Sequence, residues 1–171
     1  MLKFKRAYYD TYITFYTLTL AWLYNFTGRF DKAGVLLESF MSKHKSRLNP
    51  LDLVLSCMMI AAHYFENKEH TKTIRAISFV LLQCEKTVLK EFGERGLLDL
   101  ELAECIVQFE KGKNEYVSHR LRALKRKFNG VLKSPKNREK KFMESLEKIN
   151  HLPSIEGIKK FTKDAARIYT K

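Results

Sequence analysis

Apolar residues recur at helical spacing along most of the chain, and the breaks between runs are polar or carry glycine. The pattern predicts a first helix over 6–25, stopped near Gly28, and a second over 30–44 with Phe30, Ala33, Leu37, Phe40 and Met41 on one face. Asn49-Pro50-Leu51-Asp52 is a start signal: Asn49 suits the cap, Pro50 the first helical position, and Asp52 the electropositive first turn. The third helix is expected to run to about Glu66, and a polar break at 66–69 precedes a fourth over 71–91. Gly93 and Gly96 flank the next turn, a fifth helix covers 97–111, and Gly112-Lys113-Asn114 breaks again. A sixth helix carries Val117, Leu121, Leu124 and Phe128 on one stripe. Ser134-Pro135 is read as opening a seventh, with Phe142, Leu146 and Ile149 on its apolar face, and Pro153-Ser154 as opening an eighth. No alternating pattern competes, so the expected class is all-α, a superhelix of about four antiparallel helical hairpins in one domain over 1–171.

The breaks at Gly28, Asn67-Lys68 and Gly112 divide the chain at roughly 40-residue intervals, a spacing typical of repeat proteins. In the first hairpin, Ala21, Tyr24, Gly28, Phe30 and Ala33 follow the order small, aromatic, turn glycine, aromatic, small. Small side chains at Ala21 and Ala33 let two helices approach closely, and Gly28 permits the positive φ that ends a helix. Tyr24 and Phe30 are expected to fill the wedge beside the turn. This hairpin resembles the tetratricopeptide repeat. Ala61 and Tyr64, followed by Lys68 and Thr73, keep the spacing without the glycine; Cys105, Gly112 and Val117 keep the glycine without the aromatic. The spacing exceeds the ~34 residues usual for that family. The resemblance implies a scaffold that binds proteins or peptides on the concave face of a superhelix.

The first helix is apolar nearly all round. Tyr8, Tyr12, Phe15 and Leu23 form one stripe, Tyr9, Ile13, Tyr16, Leu20 and Tyr24 a second, and Trp22 and Phe26 widen the coverage. Such a helix is normally buried, and one hairpin partner does not cover it. Tyr9, Tyr12, Tyr16, Trp22 and Phe26 are therefore the candidate partner surface, covered by a preceding domain of a longer chain, a second copy, a ligand, or later helices curling back. The eighth helix, with Lys159, Lys160, Lys163, Asp164 and Arg167 opposite its apolar stripe, reads as a polar end cap.

Charge changes the picture at one place. Residues 1–110 carry 14 Lys+Arg against 13 Asp+Glu, and residues 111–171 carry 18 against 6. The excess concentrates in Arg120, Arg122, Lys125, Arg126, Lys127, Lys136, Arg138, Lys140 and Lys141, on two helices expected to be adjacent and antiparallel. Such a segment suits an acidic peptide or nucleic-acid phosphates, while the plain alternative is a solvated face. Phe128 and Phe142 belong to core stripes, so base stacking is not expected.

Catalytic and cofactor signatures (GxSxG, HExxH, GxxxxGK[ST], GxGxxG) are missing, and the chain reads as a non-enzyme without cofactor or metal. Glu101 and Glu104 read as a solvated pair on a helix surface, and His63, near Cys57, as ordinary packing. Cys57, Cys84 and Cys105 read as buried, reduced thiols of a cytoplasmic protein. The apolar run 12–26 is diluted by Thr14, Thr17 and Thr19 and is too short to span a bilayer, so it reads as a core helix and no membrane role is expected.

Overall fold

Three of the four positive-φ positions among the described residues close a helix onto the next one: Gly28 at 71°, Lys68 at 60° and Gly112 at 71°. The structure, a computed structural model, describes residues 2–133 and 137–150, and only the backbone of 2–8 and Asp10. The expected eighth helix, Ser134-Pro135, Lys136 and His151 lie outside the described residues. Within them the helices are α1 (Leu2–Phe26), α2 (Phe30–His44), α3 (Pro50–Glu66), α4 (His70–Gln83), α5 (Glu85–Glu110), α6 (Asn114–Lys127), α7 (Asn129–Leu132) and α8 (Arg138–Asn150), with a 3-10 turn at Lys45–Arg47. The described residues contain no strand. The chain divides into two compact units, Met1–Gly93 and Glu94–Lys171.

At each of the three turns the helix closes in the same way. Arg29 N donates to Tyr24 O at 2.8 Å, Glu69 N to Tyr64 O at 2.8 Å, and Lys113 N to Gln108 O at 3.0 Å. Each spans the left-handed residue, the Schellman arrangement that satisfies otherwise orphaned carbonyls. Glycine adopts that conformation without cost, whereas Lys68 carries a Cβ into it.

Counting from the turn residue, burial recurs too. Fourteen, eleven and seven positions before it stand Thr14, Thr17 and Ala21, then Val54, Cys57 and Ala61, then Leu98, Glu101 and Cys105, all buried. Five, nine and twelve positions after it stand Ala33, Leu37 and Phe40, then Thr73, Ile77 and Val80, then Val117, Leu121 and Leu124, also all buried. Within the first unit α1 packs on α2 and α3, and α3 packs on α2 and α4. Ala21, Leu37 and Ile60 form the centre of this core, with Leu18, Met41, Met59 and Tyr64 packed around it. In the second unit α6 and α8 run antiparallel: Asn150 Nδ2, at the end of α8, donates to Asn114 O at 2.7 Å and Ser118 Oγ at 2.6 Å at the start of α6.

Several expectations are corrected. The predicted helix over 71–91 is two helices, because Cys84 leaves helical geometry (φ −121°, ψ 11°). Its carbonyl then accepts from Thr87 and Val88 N, starting the next helix. Of the two glycines, only Gly93 breaks the chain direction (φ 68°, ψ −171°), and Gly96 is helical. Residue Asn137 caps α8: Lys140 N donates to its Oδ1 at 2.8 Å. Phe30 is 36% exposed and Tyr24 half-buried, so Phe30 does not fill a wedge beside the turn. The Asn49 cap forms as expected, its Oδ1 accepting from Asp52 N at 2.9 Å.

Candidate functional site

Helix α1 buries two of the three threonines expected to dilute it, Thr14 and Thr17 but not Thr19, and exposes the residues of the candidate partner surface, Tyr9, Tyr12, Tyr16, Trp22 and Phe26. Thr14, Thr17 and Ala21 face inward at 1%, 4% and 0% exposure. At 100° per residue, the opposite face gathers Tyr9, Tyr12, Phe15, Tyr16, Trp22, Leu23 and Phe26, every one at least 45% exposed. The reason is steric. Ala21 sits in the seam with α2, where only small side chains permit close approach, and Thr14 and Thr17 share its stripe. That register turns the aromatic rings outward.

These side chains are continuous along the helix. Trp22 and Phe26 stack with ring centroids 5.4 Å apart and planes 16° from parallel. Residues 11–28 contain no Asp, Glu, Lys or Arg. From seven large side chains about half exposed, the uncovered apolar area is on the order of 800 Å², well above what single exposed residues leave.

The turn register gives this face its meaning. Twelve and five positions before the turn residue, α3 carries Ser56 and His63, and α5 carries Leu100 and Val107. All four are buried, at 0%, 6%, 5% and 2%. Their counterparts in α1, Tyr16 and Leu23, are 55% and 45% exposed. In α3 the cover is α2: a Cβ added at Gly34 of α2 would run into the His63 ring. Beside this crossing, Tyr64 Oη donates to Glu38 Oε1 at 2.7 Å, and burial together with that bond pushes the phenol up to about 12.

Ala21, Ala33 and Ala61 are buried, Tyr64 is half-buried, and Gly28 and Gly112 occupy the left-handed turn positions. His63 is buried against Gly34, as an ordinary packing residue would be.

The basic segment is largely engaged within its own unit. Glu101 is buried, not solvated, and takes Arg120 Nη2 on Oε2 and Lys127 Nζ on Oε1, the latter at 3.2 Å. Glu104, the other carboxylate expected to be solvated, accepts Tyr116 Oη at 3.0 Å. Lys125 Nζ meets Glu147 Oε2 at 2.6 Å. Glu139, buried at 3% exposure, takes Arg95 through Nε at 2.9 Å and Nη2 at 2.6 Å, and Arg138 at 3.5 Å. Arg122 bonds Ser118 O at 3.3 Å and lines a cleft shared with Glu144, Glu147 and Lys148. Arg126, Lys140 and Lys141 are exposed, and Lys136 lies outside the described residues. Sequence reasoning missed the acidic partners, although Glu101 occupies the buried position of Thr17 and Cys57 when counted from the turn.

The thiols are chemically quiet. Burial pushes Cys57 up to about 11 and, with Glu104 nearby, Cys105 up to about 12. Among the described residues no group of three His, Cys, Asp or Glu is placed to hold a metal ion, and no helix is long and apolar enough to cross a membrane. Comparison with protein-family models, with curated proteins and with solved structures finds no match for this chain.

Proposed function

We propose that this chain is a protein-interaction module of the helical-repeat kind, which docks a protein partner on the aromatic face of α1. One observation carries the reading. The turn-anchored positions that α3 and α5 bury are held in α1 by Tyr16 and Leu23, which stand open. A face occupied by packing in two helices and left bare in the third is an interface awaiting its other half. Its makeup fits protein recognition: Tyr and Trp are rigid, lose little entropy on docking, and dominate interface energetics.

The recurrent Schellman turn and its matched burial support the tetratricopeptide-like reading, with two turns in the first unit and one in the second. Buried, reduced cysteines fit a cytoplasmic setting, and nothing in the site calls for catalysis or a cofactor. Phosphate binding by the basic 120–141 segment draws less support, because Arg120, Lys125, Lys127 and Arg138 already face carboxylates within their own unit.

The test is site-specific crosslinking. A photoreactive amino acid at Tyr16 should form an adduct with another protein chain, while the same group at Lys141 should not. Crosslinks confined to the chain's own later helices would show that the face is covered internally and would overturn the reading.

A further inference from the structure

We infer that the occupant of the α1 face is a second copy of α1, packed antiparallel about a two-fold axis at Thr19. This rests on the reading of α1 as a docking surface and names its partner. Thr19 lies at the centre of the exposed face and is itself exposed. Six of the seven large side chains are arranged symmetrically in number around it: Tyr12 and Phe26 are seven positions away on either side, Phe15 and Leu23 four, Tyr16 and Trp22 three, while Tyr9 has Arg29 as its counterpart. An antiparallel pair centred on Thr19 therefore sets Tyr12 against Phe26, Phe15 against Leu23 and Tyr16 against Trp22, each contact made twice. A self-complementary patch of this kind is what an isologous dimer requires.

Two further properties favour a copy of the same chain. The chain carries a net charge of +13, yet residues 11–28 carry none, so copies meet there without opposing like charges. The uncovered area, on the order of 800 Å² per copy, matches what each partner contributes to a stable interface of standard size. Thr19 is small, so the helices can close to the ~8–10 Å separation of packed helices at that point while the rings interlock on both sides.

The experiment combines sedimentation equilibrium with cysteine crosslinking on the full chain. The wild type is expected to be a dimer, and Tyr16→Glu with Trp22→Glu to weaken self-association more than about a hundredfold with helical circular dichroism retained. Under copper-phenanthroline oxidation, Thr19→Cys should yield a covalent dimer because the axis brings the two Cβ atoms together, whereas Thr11→Cys should not. A dimer that survives the double substitution, or that Thr11→Cys locks as well as Thr19→Cys, would overturn the pairing. A monomer whose Trp22 is readily quenched and which binds a hydrophobic dye through this face would reject the second copy and leave the docking reading standing. A monomer with Trp22 shielded and no dye binding would reject both.

Discussion

Gly34 of α2 and His63 of α3 meet where the two helices cross, and there is no room between them for a methyl group. The imidazole is buried, and Asn67 Nδ2 lies 3.3 Å from its Nδ1 and 3.2 Å from its Nε2. Replacing Gly34 with alanine improves helix propensity by about 1 kcal/mol, but the clash with a confined ring costs more. Gly34→Ala is therefore expected to destabilise the first unit by about 2 kcal/mol net. Adding His63→Ala should recover part of that loss, and a double-mutant cycle in urea measures the coupling. Strictly additive effects would contradict the contact.

Lys68 holds a φ of 60° at the turn where Gly28 and Gly112 stand in the other hairpins. Lys68→Gly should stabilise by up to about 1 kcal/mol, and Gly28→Ala or Gly112→Ala should cost about as much. The check is a shift of the denaturation midpoint at constant slope.

Glu101 is buried between Arg120 and Lys127. Glu101→Ala leaves two cations without their acceptor and opens space in the second unit. The expected loss is about 2 kcal/mol, below that of a fully buried pair because Arg120 and Lys127 remain partly in water. Thermal unfolding of the single variant against Glu101→Ala with Arg120→Leu separates the lost pair from the cavity.

Burial alone would raise the Glu139 carboxyl, but hydrogen bonds from its own backbone and Arg95, with the Arg95 and Arg138 charges, outweigh it and hold it below the usual range. A carboxyl lowered on folding contributes stability above its unfolded value of about 4.3, and that contribution is lost as pH falls through the lowered folded value. Asp99, raised by burial and by Glu139, acts in the opposite sense and becomes less unfavourable as pH falls. Stability of the second unit should decline below about pH 4.3, and Glu139→Gln should flatten that decline. An unchanged acid limb in the variant would contradict the assignment.

Cys57 and Cys105 are buried with thiols pushed to about 11 and about 12. A thiol reagent at pH 8 should label them only as fast as the fold opens, and at once in denaturant. Rapid native labelling would place them elsewhere than the core.

Much of the helical layout was legible because its cues are local: the Asn49-Pro50-Asp52 start, the glycine turns, and the apolar stripes of α2, α6 and α8. The break at Cys84 was hidden because a buried cysteine fits a helical stripe equally well, and the turn that interrupts it involves no glycine or proline. The aromatic abundance of α1 was visible, and Tyr9, Tyr12, Tyr16, Trp22 and Phe26 were open to naming as a surface, but the inward stripe of Thr14 and Thr17 was not. Hydrophobicity favours Tyr and Phe inside, whereas the seam with α2 selects Thr14, Thr17 and Ala21 by size. Glu101 reads as a surface residue because carboxylates usually are, and the arginines that pair with buried Glu101 and Glu139 arrive from 19 and 44 positions away in sequence.

Trp22 is the chain's single tryptophan and sits on the face at issue, 56% exposed and stacked on Phe26. Its fluorescence, followed with acrylamide quenching across a dilution series, tests the central claim most directly. The account predicts shielded, blue-shifted emission at high protein concentration that becomes red-shifted and readily quenched on dilution, as the aromatic face of α1 loses its partner. Emission and quenching that stay constant at every concentration would contradict it.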